Sequence, residues 1–145
     1  MNDQPPVRVE RHVPVTPETV WPYLAEGALW VRWQGVRAQL VPLPGGACEI
    51  EMPDGTIASG QVLEVDPPRR LVFTWGFVGA PAGMDPGSSR VEITLTPTVG
   101  GTLIALVHSR LPDSMQPPHE KGWHRYLDRL AHLVTGQDPG PDLGA

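Results

Sequence analysis

Cysteine, lysine and long apolar runs are scarce in this chain of 145 residues, and each scarcity narrows what the protein can be. A single cysteine, Cys48, excludes an internal disulfide and a metal site built from several cysteines. Lys121 is the one lysine, 16 acidic residues outnumber 11 basic ones, and no basic run occurs. The net charge of −5 therefore argues against nucleic acid and against an anionic membrane surface as partners.

No apolar stretch of the sequence is long enough to span a membrane. Residues 1–6 are polar and proline-rich, and they lack the apolar segment of a secretory signal. We therefore expect a cytoplasmic protein. The length indicates one domain over residues 1–145, with a core at about 7–135 and loose tails at both ends.

Proline and glycine, by contrast, are abundant, with 18 and 16 residues, and they divide the chain into short segments. Between these breaks, apolar and polar residues alternate with the period of strands that bury one face. Strands are predicted at residues 7–13, 36–41, 47–52, 57–65, 70–77, 90–96 and 102–108.

Short helices are predicted directly after the first strand. Thr16 can cap a helix, and Pro17 suits its first position because the missing N–H has no partner there in any case. The apolar spacing predicts two short helices, at about 17–25 and 26–31.

The one long helical pattern lies at residues 120–134 and stops before Gly136. Its apolar face consists of Trp123, Tyr126, Leu127, Leu130 and Val134. We expect Trp123 and Leu127 to point inward, and Arg125 and Arg129 to point outward.

Runs of antiparallel strands with segregated helices are typical of α+β folds. The predicted fold is a curved antiparallel sheet of six to seven strands wrapped around the long C-terminal helix, with a cavity between helix and sheet. The connection at 78–88 is long for a hairpin. Its glycine, alanine, proline and methionine offer few buried anchors, so we expect it to be the most mobile internal loop and to gate the cavity.

The order of these elements and several local motifs resemble the START-like (SRPBCC) helix-grip superfamily. Within it, the chain is similar to the branch of activator of heat-shock protein 90 ATPase homologue-like proteins. The motifs are Pro17-Glu18-Thr19-Val20-Trp21, Trp30 and Trp33, Pro44-Gly45-Gly46, the run from Gly60 to Trp75, Gly101-Thr102, His108, and Gly122-Trp123. This resemblance implies a cavity for a small apolar ligand, a co-chaperone-like surface that binds other proteins, or a polyketide-cyclase-like enzyme.

Side chains that could carry chemistry do not assemble into a known catalytic motif. Cys48 lies in the middle of a strand among apolar neighbours, which is typical of inert packing. His119 and His124 are five residues apart and do not share a helix face, so a metal site is not expected. Glu64 is predicted to form an ion pair with Arg69 or Arg70. No catalytic residue, metal or cofactor is predicted.

Aromatic residues are the most informative feature, because five tryptophans fall on elements that the fold should bring together. Flat apolar rings with one donor suit the lining of a cavity for a small organic ligand, although ordinary core packing explains rings equally well. The predicted ligand-binding residues are Trp33, Met52, Phe73, Trp75, His108, Trp123 and Leu127.

Three functions remain open at this point. The first is binding of a small apolar or amphipathic ligand, with the protein as a monomer or homodimer. The second is a co-chaperone-like interaction with another protein or a chaperone. The third is a polyketide-cyclase-like enzyme in which His108 or Glu64 positions an enol.

Overall fold

The structure is a computed structural model that describes residues 5–79 and 83–144. Strands and helices follow one another in the predicted order. They are β1 (Val7–Val13), α1 (Pro17–Val20), α2 (Pro22–Ala25), α3 (Gly27–Trp30), β2 (Arg37–Leu40), β3 (Ala47–Glu51), β4 (Ile57–Asp66), β5 (Arg70–Trp75), β6 (Ser89–Thr98), β7 (Gly101–Ser109) and α4 (Gln116–Val134), with a 3-10 turn at Asp113–Met115.

The seven strands form one antiparallel sheet in the order β1-β7-β6-β5-β4-β3-β2. Strands from β2 to β7 pair with their neighbours in sequence, whereas β1 pairs with β7, with Val7 opposite His108. The α+β helix-grip fold with a long C-terminal helix is therefore confirmed. Within the described ranges, no helix is both long and apolar enough to cross a membrane.

The helices differ from the prediction in two details. Three single turns, rather than two short helices, follow β1. The long helix begins at Gln116, four residues before the predicted start. Pro117 and Pro118 fall in its first turn, where the backbone N–H groups have no helical partner, so prolines that would break a helix elsewhere are tolerated there.

The core lies between the inward face of the sheet and α4. Alternate residues of β6 and β7 are buried, as the period-2 pattern predicts. Trp123, Leu127 and Leu130 of α4 cover this face. Trp30 fills the core beside the short helices, with its ring centroid 4.7 Å from that of Trp33.

Arg129 corrects the predicted orientation of α4, because it is buried rather than outward. Its Nε donates to the carbonyl oxygen of Trp33 at 2.9 Å, and its Nη2 donates to that of Gly140 at 2.9 Å. A guanidinium has five donors, so it can satisfy several backbone carbonyls from one buried position. Arg125 is half-buried, while Trp123 and Leu127 point inward as predicted.

The C-terminal tail, predicted to be loose, is held against the fold. Arg129 binds the carbonyls of Pro139 and Gly140. Asp142 is buried, with a side chain that is 0 % exposed. The proline and glycine content suggested a loose segment, but Arg129 and the buried Asp142 carboxylate both anchor it.

The loop prediction for residues 78–88 falls partly on residues 80–82, which lie outside the described residues. Beside them, Met84 is 2 % exposed, and its carbonyl accepts a hydrogen bond from the Phe77 amide at 2.7 Å. The segment therefore has a buried anchor that the sequence did not reveal. Its mobility and its role as a gate remain predictions.

The burial of α4 makes a direct prediction about stability. Leu130→Ala should lower the free energy of unfolding by about 2–5 kcal/mol, because Leu130 is fully buried and the cavity left behind cannot fully collapse. Leu43→Ala, at a residue that is 63 % exposed, should change it by less than about 0.5 kcal/mol. Urea denaturation measures both, and equal effects would contradict the described packing of α4.

Candidate functional site

A pocket lies where the N-terminal half of α4 crosses the ends of β3 and β5. Its volume is about 190 Å³. Its lining combines aromatic, apolar and a few polar residues: Gln34, Met52, Trp75, Phe77, Pro118, His119, Gly122, Trp123 and Tyr126. A second hollow of about 620 Å³ shares Met52, Phe77, Gly122 and Tyr126 with it and adds polar residues such as Asp54 and Arg125. The apolar pocket therefore continues into a more polar mouth.

Aromatic rings build the pocket wall. The Trp75 ring centroid lies 5.4 Å from that of Trp123 and 5.9 Å from that of Phe77. The rings of Phe77 and His119 follow at 5.8 Å. Phe77 lies two residues after Trp75, so the two side chains point to the same face of the sheet. His119 lies one helical turn before Trp123, so these two side chains share a face of α4.

Gly122 leaves the space into which the pocket opens. Beyond its chain neighbours and the backbone of α4 itself, a Cβ atom at this position would meet no atom within 4 Å. Glycine inside a helix is destabilising by about 0.5–1 kcal/mol relative to alanine. Gly122 therefore keeps the pocket open at a cost to the stability of α4.

Three of the seven predicted ligand-binding residues line the pocket: Met52, Trp75 and Trp123. Trp33, Phe73 and Leu127 lie in the packed core instead, each 0 % exposed, and they are not part of the wall. The Trp33 indole is fixed there, since its Nε1 donates to the carbonyl of Tyr23 at 2.9 Å.

Sequence reasoning missed six residues of the wall: Gln34, Phe77, Pro118, His119, Gly122 and Tyr126. Signals existed for two of them. Phe77 continues the alternation of Phe73 and Trp75, and Tyr126 belongs to the predicted apolar face of α4. The positions of Gln34 and His119 depend on where α4 crosses the sheet, which no local pattern encodes.

His108 lies behind the wall, in a hydrogen-bonded chain that joins α4 to the sheet. Trp123 Nε1 donates to His108 Nδ1 at 3.0 Å. His108 Nε2 lies 2.8 Å from Ser89 Oγ, which donates to the carbonyl of Trp75 at 2.7 Å. Because an indole can only donate, Nδ1 must accept, and the hydrogen of the neutral ring sits on Nε2. Both ring nitrogens of His108 are therefore engaged.

The protonation of His108 and of the half-buried His119 follows from this setting. Burial, and to a smaller extent the neighbouring His119, lowers the pKa of His108 to about 3. Burial also lowers the pKa of His119, against the opposing effect of a hydrogen bond to the carbonyl of Met115. Both rings are consequently neutral at pH 7.

The other candidates for chemistry lie away from the pocket. Burial raises the pKa of Cys48 to about 12, so its thiol stays protonated and inert. Glu64 forms the predicted ion pair with Arg70, at 3.1 Å, and does not line the pocket. Among the described residues, no group of three or more histidine, cysteine, aspartate or glutamate side chains is placed to hold a metal ion.

Asp142 anchors the C-terminal segment beside the mouth of the pocket, which Leu143 and Gly144 line. Its carboxylate accepts hydrogen bonds from the Gly35 amide at 2.8 Å, Tyr126 Oη at 2.9 Å and Arg125 Nη2 at 3.0 Å, and from the Gly144 amide at 3.0 Å. Burial opposes the charge, but these donors outweigh it and lower the pKa of Asp142. Burial of the Tyr126 phenol and its hydrogen bond to Asp142 raise the pKa of this phenol.

The sequence matches the model of the family described as Activator of Hsp90 ATPase homolog 1-like protein over residues 14–135. The chain belongs to this family. Among solved structures, an AHSA1-like protein from Rhizobium etli is 40% identical, with a TM-score of 0.73, over 94% of this chain and 86% of that one. No curated protein matches the chain.

Two further structures resemble this AHSA1-like chain. DynU16, a protein of the dynemicin biosynthetic locus, is 27% identical with a TM-score of 0.81, over 96% of this chain and 51% of that chain, so the match spans about half of DynU16. An Aha1 dimer from Colwellia psychrerythraea is 15% identical with a TM-score of 0.79, over 94% of this chain and 100% of that one. The latter likeness shows the fold alone.

Acid should destabilise this AHSA1-like protein through His108. The folded state binds fewer protons than the unfolded state as the pH falls from about 6.5 to about 3, so stability is present above this window and is lost within it. The loss should approach about 1.4 kcal/mol per pH unit from this group. His108→Gln should show a shallower dependence of unfolding free energy on pH, together with lower stability at pH 7.

His119 contributes to this acid sensitivity with the same sign and is present in both proteins, so the difference between them reports His108 together with its electrostatic coupling to His119. The same substitution at the exposed His132 is the control. Urea denaturation at pH 7, 6, 5 and 4 measures the slopes, and identical slopes in His108→Gln and the unmodified protein would refute the neutral buried ring.

The Asp142 contacts predict that the C-terminal segment stabilises the fold. Asp142→Asn should lower the free energy of unfolding by about 2–4 kcal/mol, because the buried Tyr126 hydroxyl and the half-buried Arg125 guanidinium lose a charged acceptor. Asp138→Asn, at an exposed residue of the same segment, should cost less than about 0.5 kcal/mol. Thermal unfolding with calorimetry distinguishes the two, and a silent Asp142→Asn would mean that the segment is not anchored in solution.

Proposed function

We propose that this AHSA1-like protein binds a small apolar or amphipathic organic molecule in the pocket between the sheet and α4, without a cofactor. The observation that carries the proposal is the pocket wall of Trp75, Phe77 and Trp123. Aromatic rings with few polar groups are the usual lining of small-molecule sites. Farther along the inward face, Trp33, Phe73 and Leu127 are each 0 % exposed.

The size and polarity of the site favour an amphipathic ligand. The inner pocket, of about 190 Å³, suits a single ring or two fused rings. The adjoining hollow, of about 620 Å³, is lined by polar residues that include Asp54, Thr56 and Arg125. Small-molecule sites commonly have volumes of about 300–1,000 Å³. A ligand with an apolar ring inside and a polar end at the mouth would use both parts.

Binding rather than catalysis is supported by the positions of the candidate reactive groups. The enzyme alternative depended on His108 or Glu64 positioning an enol. His108 has both ring nitrogens engaged behind the wall, and Glu64 pairs with Arg70 outside the pocket. The similarity to DynU16, a protein of a biosynthetic locus, favours a small organic molecule in the pocket under both the binding and the enzyme alternative.

A second candidate function, binding of another protein in a co-chaperone-like manner, is favoured by one feature of the surface. Val36, Val41 and Leu43 are 54 %, 38 % and 63 % exposed, and they flank the edge strand β2. Exposed apolar side chains that cluster on one part of the surface are typical of interaction surfaces. A protein partner at this edge would leave the pocket free.

Filling the pocket tests the proposed function. Gly122→Leu places a side chain where a Cβ meets no atom within 4 Å, so it should occupy the pocket without disturbing the core. It should also remove the cost of glycine in a helix and leave the protein at least as stable. Compounds that raise the melting temperature of the unmodified protein in a library screen should lose their effect on Gly122→Leu.

Lys121→Leu adds the same side chain at the neighbouring exposed position and is the control. Every compound that raises the melting temperature of the unmodified protein should also raise that of Lys121→Leu. Hits should also quench tryptophan fluorescence, and their affinity should change little between low and high salt, because apolar burial is not screened. Hits that bind Gly122→Leu as tightly as the unmodified protein would refute this pocket as the site.

A further inference from the structure

Leu143 is a large apolar residue on the surface of the C-terminal segment, at the mouth of the pocket. It is 83 % exposed, and it lines the outer hollow of about 620 Å³. A single exposed leucine is common on protein surfaces and needs no explanation of its own. Leu143 differs from such a residue in how firmly its backbone is held and in the side chains that share the hollow with it.

The backbone on both sides of Leu143 is fixed. Asp142, directly before it, is buried and accepts hydrogen bonds from the Gly35 amide at 2.8 Å and from Tyr126 Oη at 2.9 Å. The same carboxylate accepts from the amide of Gly144, directly after Leu143, at 3.0 Å. Because these bonds already hold the backbone, little conformational entropy is lost when a ligand covers the side chain.

Residues 139–144 form a strap that borders the hollow. Near its start, Arg129 of α4 donates to two of its carbonyl oxygens, at 3.3 and 2.9 Å. At its other end, Gly144 approaches the turn between β3 and β4, since a Cβ built on this glycine would lie 4.0 Å from Pro53 Cβ. The strap thus joins α4 to the β3–β4 turn, and residues of both line the hollow.

Apolar side chains connect the inner pocket with the hollow that the strap borders. Met52, Phe77 and Tyr126 line both spaces. A ligand longer than the inner pocket would leave it along these side chains and enter the hollow that Leu143 lines. An apolar chain on this path would remove the exposed Leu143 side chain from water, which favours binding.

The charges around the hollow favour an uncharged polar end on such a ligand. Arg125 lines the hollow, but its Nη2 already donates to Asp142 at 3.0 Å. The exposed Asp54 lines the hollow as well, so an anion would meet this carboxylate and a cation would meet the Arg125 guanidinium. A hydroxyl can accept or donate a hydrogen bond without either repulsion.

We propose that residues 139–144 act as a strap over the bound ligand, with Leu143 as a further ligand-binding residue, and that the ligand is an elongated amphipathic molecule. Its aromatic ring lies in the inner pocket, and its aliphatic chain passes Phe77 and Tyr126 to reach Leu143. The role of the strap rests on the proposed function and names the class of ligand that this function would take, a neutral arylalkyl compound with a polar end in the hollow.

Three matched probes separate binding in the inner pocket from contact with the strap. 2-Phenylethanol, 4-phenyl-1-butanol and 6-phenyl-1-hexanol share the ring and the hydroxyl and differ in chain length alone. Titrations followed by tryptophan fluorescence give the affinity of each probe. Each added methylene should raise the affinity about two- to fourfold, because it is taken from water into contact with apolar side chains.

Leu143→Ser assigns the effect of chain length to its residue. This variant should bind 6-phenyl-1-hexanol about three- to tenfold more weakly than the unmodified protein and bind 2-phenylethanol equally well. Its melting temperature should not change, because the side chain is exposed. Val99→Ser is the matched control, since Val99 is exposed and does not line the hollow, and it should keep the affinities of all three probes.

The anchor of the strap is tested separately. Asp142→Asn weakens the contacts that hold the strap, so it should reduce the advantage of 6-phenyl-1-hexanol over 2-phenylethanol. Asp138→Asn, at an exposed residue just before the strap, should keep this advantage. Comparing the ratio of the two affinities, at a temperature where both variants are folded, removes the effect of lower stability.

Isotope-filtered NOE spectra of the protein with ¹³C-labelled leucine locate the chain directly. The Leu143 methyl groups should show contacts with the chain protons of 6-phenyl-1-hexanol and none with 2-phenylethanol. Chain protons of the bound 6-phenyl-1-hexanol that show no contact with Leu143 would overturn the role of this residue.

The outcomes separate the role of the strap from the function on which it rests. If Leu143→Ser keeps the full advantage of 6-phenyl-1-hexanol while Gly122→Leu loses binding of all three probes, the role of the strap is overturned and the proposed function stands. An equal loss of this advantage in Val99→Ser and Leu143→Ser would also overturn it, because the effect would not be local. Binding of none of the probes to the unmodified protein would count against the strap and the proposed function together.

Discussion

The hydrogen bond from Trp123 Nε1 to His108 Nδ1 sets the position of α4 over the sheet at the end where the pocket lies. It requires a neutral His108, and the burial that keeps this ring neutral is provided by the sheet and the helix it joins. The same chain of hydrogen bonds continues through Ser89 to the carbonyl of Trp75. Trp75 and Trp123 pack against each other in the pocket wall. Both are thus positioned by one connected set of polar contacts.

The opposite end of α4 is organised differently. Leu127 and Leu130 fill the space above the sheet, and Arg129 binds the backbone carbonyls of Trp33 and Gly140. Asp142 then ties the C-terminal segment to Gly35 and Tyr126. Tyr126 also lines the pocket, so this segment, at the end of the chain, determines the shape of the mouth.

The fold was largely predictable from the sequence, and the site only in part, for physical reasons. Strands such as β6 and β7 bury alternate residues, and this local period is visible in the sequence. Arg129 was predicted outward because a polar side chain on a helix normally faces water, and the carbonyls that it satisfies come from distant segments. His119 was missed for a similar reason: only the angle at which α4 crosses the sheet brings it beside Phe77.

Phe73 and Leu127 show why aromatic and apolar content alone does not define a cavity. Both have the chemistry of a pocket wall, yet both are 0 % exposed, and the ring of Trp30 packs against that of Phe73 at 5.7 Å between centroids. The pocket begins where a side chain is missing, at Gly122, and where an indole N–H has no hydrogen-bond partner among the described residues, at Trp75. Each feature reduces stability on its own, and packing of the core does not require either. Their coincidence in one wall supports the proposed binding of a ligand there, because natural proteins depart from local stability mainly at functional sites.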